Sequence, residues 1–287
     1  MKLRYHGLHL LFGVAAALLA VIAWAFWWEP SSLRVTEHPL PLLHWPASQS
    51  GLRIAVITDV HAGAPFIDRA KLRKIVTMTN AAHPDLTVLL GDYVIDGIPG
   101  GHFIPPEDVA RILGGLRAPL GVYGVVGNYD DALGLQRVIR AFDAAGIPML
   151  ENRLEHINSG RFHFALLGID SNSLDLPRID QQFHLLGADE PVIMLMHHPD
   201  VFPMLPARVN LALAGHTHGG QVRLPFFGAR ITGSMYGQRY LRGHVREQTD
   251  MFVSTGIGTS ELAVRFGVPP EISLLTLTPD RTPGRAP

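Results

Sequence analysis

Residues 52–61 read Leu-Arg-Ile-Ala-Val-Ile-Thr-Asp-Val-His, an apolar run that ends in the polar residues Asp59 and His61. The arrangement recurs in residues 86–92, Leu-Thr-Val-Leu-Leu-Gly-Asp, and in residues 122–128, Val-Tyr-Gly-Val-Val-Gly-Asn. Short apolar runs bounded by turn residues are typical of buried strands. Helical patterns lie between these runs, and strands that alternate with helices indicate a mostly parallel sheet with crossover helices.

Two further apolar runs in the second half end in the same way. Residues 192–196 are followed by His197-His198-Pro199-Asp200, and residues 211–214 by Gly215-His216-Thr217-His218. Ligands of open α/β sheets bind at the carboxyl ends of the strands, so we expect the polar side chains of all five runs in one crevice. Carboxylate, imidazole and amide oxygen together suit two divalent ions such as Mn, Fe or Zn.

The composition sets limits on the class of protein. With 287 residues, 47% of them apolar and 17% charged, the chain can form one large domain or two small ones, and disorder and a coiled coil are excluded. The chain has 24 Lys and Arg and 25 Asp and Glu, so its net charge is -1. This balance excludes the strongly basic surface of a general nucleic-acid binder. Because the chain has no Cys, it has no disulfides, thiolate metal sites or cysteine nucleophile.

The N-terminus predicts a membrane anchor. Residues 10–28 carry no charged side chain and, at about 1.5 Å per residue, span roughly 28 Å, close to the hydrocarbon thickness of a bilayer. Lys2 and Arg4 precede this run, which predicts a cytoplasmic N-terminus and a single pass, with the main domain on the extracytoplasmic side. Ala23-Trp24-Ala25 leaves a cleaved signal peptide open. The predicted segments are an anchor at 1–29, an extended Pro-rich tether at 30–50, the folded domain at 51–279 and a tail at 280–287.

The order Asp-x-His, Gly-Asp-x-x-Asp, Gly-Asn, a single His and Gly-His-x-His resembles the motifs of the calcineurin-like metallophosphoesterase family over about residues 53–277. Residues 215–225 and 265–271 are similar to its membrane-anchored bacterial branch, which implies the bacterial inner (cytoplasmic) membrane. The implied fold is α/β (α+β), a four-layer αββα sandwich of two mixed sheets with a dimetal site at the carboxyl ends of the strands, preceded by one N-terminal transmembrane helix.

The resemblance also implies the roles of individual residues. Seven residues would bind two divalent ions: Asp59, His61 and His218 the first, Asn128, His197 and His216 the second, with Asp92 bridging them. The order of His197 and His198 is left open. His198 and Arg223 are candidates for substrate binding, and Tyr129 and Asp130 for catalysis, although Asp130 also fits a supporting position.

Tyr129 occupies a position where the family usually has His. That imidazole is thought to stabilise the transition state or to protonate the leaving oxygen, whereas a phenol, with a pKa of about 10, is a poorer acid at neutral pH. The hypothesis is that the leaving group needs little protonation, as when a pyrophosphate is cleaved. A tolerated replacement with slower turnover is the alternative.

The activity implied by the resemblance is hydrolysis of a phosphodiester or pyrophosphate by a hydroxide that bridges the ions. The expected substrate is a lipid-linked or envelope precursor, as for a UDP-diacylglucosamine pyrophosphatase. That particular lipid is cytoplasmic, whereas the predicted topology places the domain on the other side of the membrane. The alternatives are a broad phosphomonoesterase, a nucleotide phosphodiesterase or a catalytically weak metal-binding scaffold. Residues 224–227 would contact an acyl chain or the membrane, or pack under a loop. The expected partners are the substrate and the membrane; no nucleic acid is expected and no protein partner is inferred.

Overall fold

The computed structural model describes residues 2–170 and 176–280. The helices are α1 (Lys2–Ala23), α2 (Glu29–Ser31), α3 (Arg69–Ala81), α4 (Pro106–Leu113), α5 (Asn128–Ala144) and α6 (Leu176–Phe183). The strands are β1 (Arg34–Leu42), β2 (Leu52–Ile57), β3 (Leu86–Leu89), β4 (Val122–Gly124), β5 (Arg153–Asn158), β6 (His163–Gly168), β7 (Val192–Leu195), β8 (Leu211–Ala214), β9 (Arg223–Leu224), β10 (Gly228–Ala229), β11 (Gly243–Arg246), β12 (Asp250–Val253) and β13 (Glu271–Pro279).

These strands form two large sheets and one hairpin. The first sheet has the order β1-β13-β2-β3-β4, and the second has the order β11-β12-β8-β7-β6-β5. Both are mixed: β2, β3 and β4 are parallel, while β13 is antiparallel to β2, and β6, β7, β8 and β12 are parallel between antiparallel outer strands. β9 and β10 form the separate hairpin.

The apolar side chains divide into three layers of core. One cluster lies between the two sheets and includes Leu52 and Phe164. A second packs α3, α4 and α5 on the first sheet, with Phe142 among its buried members, and a third covers the second sheet with α6 and the turn Pro199–Met204. Strands buried on both faces read as continuous apolar runs rather than alternating ones. The predicted αββα sandwich of two mixed sheets is confirmed.

Local sequence explains where α3 and α4 begin. Asp68 precedes α3, and its carboxylate accepts a hydrogen bond of 2.7 Å from the Lys71 N–H, which satisfies one of the free donors of the first turn. Pro106 is the first residue of α4, where its missing N–H costs nothing. Both helices therefore start at residues suited to the first turn of a helix.

The structure corrects the tether predicted at residues 30–50. Arg34–Leu42 form β1, which pairs in parallel with β13 from Arg34–Glu271 to Leu42–Pro279 and buries Leu40 and Leu42. The prolines that suggested a linker are compatible with β1 because it is an edge strand, where a missing N–H leaves no partner unsatisfied.

The end of the apolar helix is bound directly to the domain. Leu8–Ser31 is long and apolar enough to cross a membrane, a criterion that a signal sequence also meets, and its described side chains are mostly exposed. Beyond α1, the Arg265 N–H donates to the Ala25 carbonyl at 2.9 Å, and the Val268 N–H donates to Glu29 Oε1 at 2.6 Å. Of the predicted tail, residues 281–287 lie outside the described residues.

Candidate metal centre

Three buried side chains converge after β2 and β8. The Nε2 atoms of His61 and His218 are 3.1 Å apart, and His218 Nε2 lies 3.4 Å from Asp59 Oδ1. The Asp59 carboxylate is oriented by the Thr58 hydroxyl at 2.9 Å and by the His216 N–H at 3.0 Å. All candidate ligand atoms of Asp59, His61 and His218 lie within 4.8 Å of one another. This is the set predicted to bind the first ion.

The second predicted set comes together beside the first. Asn128 begins α5, and its Oδ1 lies 3.2 Å from His197 Nε2 and 3.1 Å from His216 Nδ1, two nitrogens that are 3.3 Å apart. The His197 ring is oriented because its Nδ1–H donates to the Leu90 carbonyl at 2.7 Å. His198 lies next to these residues, with its ring centroid 3.9 Å from that of His216.

Asp92 lies between the two sets. Its Oδ2 is 3.5 Å from His61 Nε2 and 3.3 Å from His197 Nε2, while its Oδ1 accepts a 2.9 Å hydrogen bond from the Tyr129 N–H. One carboxylate oxygen thus faces a ligand of each predicted ion. This position suits the predicted bridge.

The spacing of the donor atoms fits metal binding. Ligands about 2.1 Å from an ion are separated from one another by about 3.0–3.4 Å in octahedral or tetrahedral geometry, and the distances above fall in or next to that range. Five of the seven predicted ligands have a left-handed backbone, with φ between 46° and 70°: Asp59, His61, Asp92, His216 and His218. Such strain in residues other than glycine is typical of functional sites.

Burial acts to lower the pKa of every predicted imidazole ligand, but at His197 the Asp92 carboxylate outweighs it and raises the pKa to about 9. The other three imidazoles are held neutral. Burial lowers the pKa of His61 and His216 to about 4 and that of His218 well below its ordinary value. Neutral imidazoles offer the lone pair that a metal requires. Burial opposes ionisation of Asp92, but the neighbouring His197 and His61 and the Tyr129 N–H outweigh it and hold the pKa of Asp92 well below its usual range.

The motif order and this geometry agree with the comparisons with known proteins. The model of the calcineurin-like phosphoesterase family matches residues 52–220, more than half of the chain. The chain belongs to the calcineurin-like phosphoesterase family. It is a metal-dependent phosphoester hydrolase.

This phosphoesterase is similar to several proteins. It is 29% identical to the uncharacterized metallophosphoesterase YkuE of Bacillus subtilis, over 87% of each chain. It is 26% identical to a transmembrane protein with a metallophosphoesterase domain from Danio rerio, covering 85% of this chain and 57% of that one. Among solved structures, an archaeal phosphodiesterase matches with a TM-score of 0.38 and 12% identity, over 71% of this chain and 84% of that chain.

Asp130 lies behind the centre of the phosphoesterase rather than in its cleft. Its buried carboxylate accepts hydrogen bonds from the N–H groups of Asp92, Tyr93 and Gly127 at 2.7, 2.9 and 3.0 Å. A Cβ on Gly127 would lie 2.1 Å from Asp92 Oδ1, so only glycine fits there. These contacts support a role for Asp130 in positioning Asp92, one of the two functions left open for it.

Tyr129 lies beside the first set. Its ring meets the His61 ring edge-on, with centroids 4.9 Å apart, and burial raises the pKa of its hydroxyl. The phenol therefore stays protonated at neutral pH. It can donate a hydrogen bond but, with this pKa, it is a weak general acid.

Arg223, a candidate for substrate binding, lies on the hairpin. Arg223 is exposed on β9 and lines a cavity with the hairpin residues 224–228, whereas Arg230 lines the cavity that adjoins His216 and His218. The alternative that residues 224–227 pack under a loop is wrong for their aromatic members, because Phe226 and Phe227 are exposed.

The sequence analysis did not identify Arg265 as a buried residue. Its guanidinium is fully buried and donates to the carbonyls of Gly258, Thr255 and Val268 at 2.6–3.0 Å, and it lies 3.5 Å from His218 Nδ1. Burial lowers its pKa to about 10. The available signal was its place in the motif at residues 265–271.

Proposed function

We propose that this phosphoesterase uses two divalent ions to hydrolyse a phosphodiester or pyrophosphate bond of a lipid-linked substrate. The observation that carries the proposal is the position of Asp92 Oδ2, within 3.5 Å of a ligand nitrogen from each set. The ions, Mn, Fe, Zn or similar, would supply an activated water and would screen the charge of the phosphoryl oxygens.

The residues of the chain prepare the centre for that chemistry. Asp130 and Gly127 hold the backbone around Asp92, and the Tyr129 N–H occupies Asp92 Oδ1, which leaves Oδ2 directed at both sets. Because the ligands are held by buried hydrogen bonds, little reorganisation is required when substrate binds. No protein nucleophile is needed.

The phenol of Tyr129 supports a leaving group that departs without a strong acid. A phosphate released from a pyrophosphate is stable as an anion at neutral pH, unlike an alkoxide. We therefore expect faster turnover of a pyrophosphate diester than of an alkyl phosphomonoester, and Tyr129→His should narrow the difference. Faster hydrolysis of the monoester by the unaltered chain would contradict this assignment.

An apolar cavity supports a lipid-linked substrate. The cavity has a volume of about 390 Å³, adjoins His216 and His218, and is lined by apolar residues that include Leu224, Ile231 and Leu262. A bilayer anchor raises the effective concentration of substrates carried in the same membrane.

The contacts of Ala25 and Glu29 with the domain support retention of the N-terminal helix, because removal of that segment would leave the N–H groups of Arg265 and Val268 without these partners. With Lys2 and Arg4 on the cytoplasmic side, the domain would lie on the extracytoplasmic side of a bacterial inner membrane.

Hydrolysis of bis-p-nitrophenyl phosphate by the full chain in detergent, with Mn²⁺ added, tests the proposed chemistry. Asp92→Ala and His216→Ala should each lose bound metal, measured by elemental analysis, together with turnover. His184→Ala, which changes an exposed histidine, is the matched control. Full turnover in Asp92→Ala, or turnover that survives removal of metal by a chelator, would contradict the proposal.

A further inference from the structure

Large apolar side chains are exposed on and next to the β9–β10 hairpin. The exposed fractions are 105% for Phe226, 68% for Phe227, 81% for Ile231 and 87% for Met235. Together with Leu224 they form what we call the apolar rim. Leu224, Phe226 and Phe227 line one cavity, and Leu224 and Ile231 line the next. Groups of large exposed apolar side chains mark contact with another molecule or with a membrane.

The apolar rim is connected to the end of the membrane helix through one short segment, residues 265–268. On one side, the Arg265 N–H donates to the Ala25 carbonyl, just past the end of α1. On the other, the Arg223 N–H donates to the Phe266 carbonyl at 2.8 Å, and Arg223 begins the hairpin. The hairpin therefore lies close to the point at which the chain leaves the bilayer.

Basic side chains accompany this region. Arg242 lies near Arg223 and Arg34. Burial and these two guanidinium groups lower the pKa of Arg242, and the Glu271 carboxylate acts in the opposite direction. Arg34 itself follows the helix by a few residues and lies 3.6 Å from Glu271. Three arginines against one carboxylate suit a surface of anionic lipid head groups.

We propose that the apolar rim rests in the interface of the bilayer that holds α1, with these arginines at its anionic head groups. Aromatic side chains partition to this depth of a membrane. Leu224 and Ile231 belong both to the rim and to the cavity beside the candidate metal centre, so the cavity opens toward the leaflet. If the proposed function holds, a phosphate ester reaches the centre while its acyl chains remain in the membrane.

The absence of Cys from the chain allows a direct test. Single variants Phe227→Cys and Met235→Cys of the full chain, spin-labelled and reconstituted in nanodiscs, are compared with Leu185→Cys, whose side chain is exposed beyond α6. Power saturation measures how often each spin label collides with oxygen and with a water-soluble nickel chelate. At positions 227 and 235 collisions with oxygen should exceed those with nickel by several-fold, whereas at position 185 collisions with nickel should dominate. The preference should strengthen when phosphatidylglycerol is added to phosphatidylcholine.

Two results would overturn the proposal. Nickel accessibility at 227 and 235 equal to that at 185 would place the rim in water. Protection of both labels from oxygen as well as nickel would assign the rim to a second copy of the chain. The depth measurement does not depend on hydrolysis, so inactivity toward every phosphate ester would contradict the proposed function and leave this result standing.

Discussion

Replacing Asp130 by asparagine removes one acceptor from a buried group that serves three backbone donors. Oδ2 accepts from the N–H groups of Asp92 and Gly127, and Oδ1 accepts from that of Tyr93. In Asp130→Asn the side chain has one acceptor oxygen, so at least one N–H faces an amide N–H₂. A buried donor left unsatisfied costs about 1–3 kcal/mol.

At pH 4 the free energy of unfolding should therefore fall by about 1–3 kcal/mol. For a domain of this size each kcal/mol corresponds to about 2–4 °C, so the melting temperature should fall by roughly 6 °C. The assay is thermal unfolding of the full chain in detergent, followed by near-UV circular dichroism. Burial raises the pKa of Asp130 to about 7, so an ionised carboxylate costs the folded state stability at higher pH; the measurement is made at pH 4, where the carboxyl is protonated in the folded protein and this cost is absent.

Asp131→Asn is the matched control, because Asp131 is exposed in the same first turn of α5. It should lose no more than about 1 kcal/mol through the helix dipole. Equal melting temperatures for the two variants would contradict the role of the Asp130 carboxyl as acceptor for the three N–H groups.

Glu151 accepts a hydrogen bond from the Val126 N–H, and burial raises the pKa of its carboxyl to about 7. The folded state therefore binds this proton more tightly than the unfolded state does, and it loses stability as pH rises from about 4.5 to about 7. In the unaltered chain the free energy of unfolding should decline by about 3 kcal/mol over this range, and Glu151→Gln should remove the decline. Urea unfolding midpoints of both proteins at pH 5 and pH 8 measure it, and equal declines would contradict the prediction. Arg265→Met should lower the free energy of unfolding, measured in urea, by about 3–5 kcal/mol, because three carbonyls lose a buried donor. A decrease below about 1 kcal/mol would contradict this prediction. Gly127→Ala should reduce turnover by about 100-fold with secondary structure retained, whereas Gly187→Ala, where a Cβ meets only ordinary contacts, should not.

The sequence predicted the parts of the fold that depend on local signals. An apolar run and the polar residue that follows it are close together in the chain, so the ends of β2, β3 and β4 and the residues that follow them could be predicted. The seven predicted ligands come together for the same reason, since each lies two to four residues beyond the end of a strand. Their binding of metal stays a prediction.

Features that depend on distant parts of the chain were not predictable in this way. β1 was taken for a tether because its prolines suggested a linker, and its partner β13 lies at the other end of the chain. The burial of Arg265 depends on carbonyls from separate loops that only the folded structure brings together. The sequence around Arg223 does not indicate that its side chain lines the hairpin cavity rather than the cavity beside His216 and His218.

The pairing of β1 with β13 determines how a water-soluble form of the domain can be prepared. A fragment that starts at residue 51, as the motifs alone would indicate, leaves β13 as an open edge with a row of unpaired backbone groups and uncovers the apolar pocket of Leu40 and Leu42. Such an edge is a template for aggregation. A fragment that starts at Ser32 keeps the edge closed, and its yield and dispersity should be the better of the two.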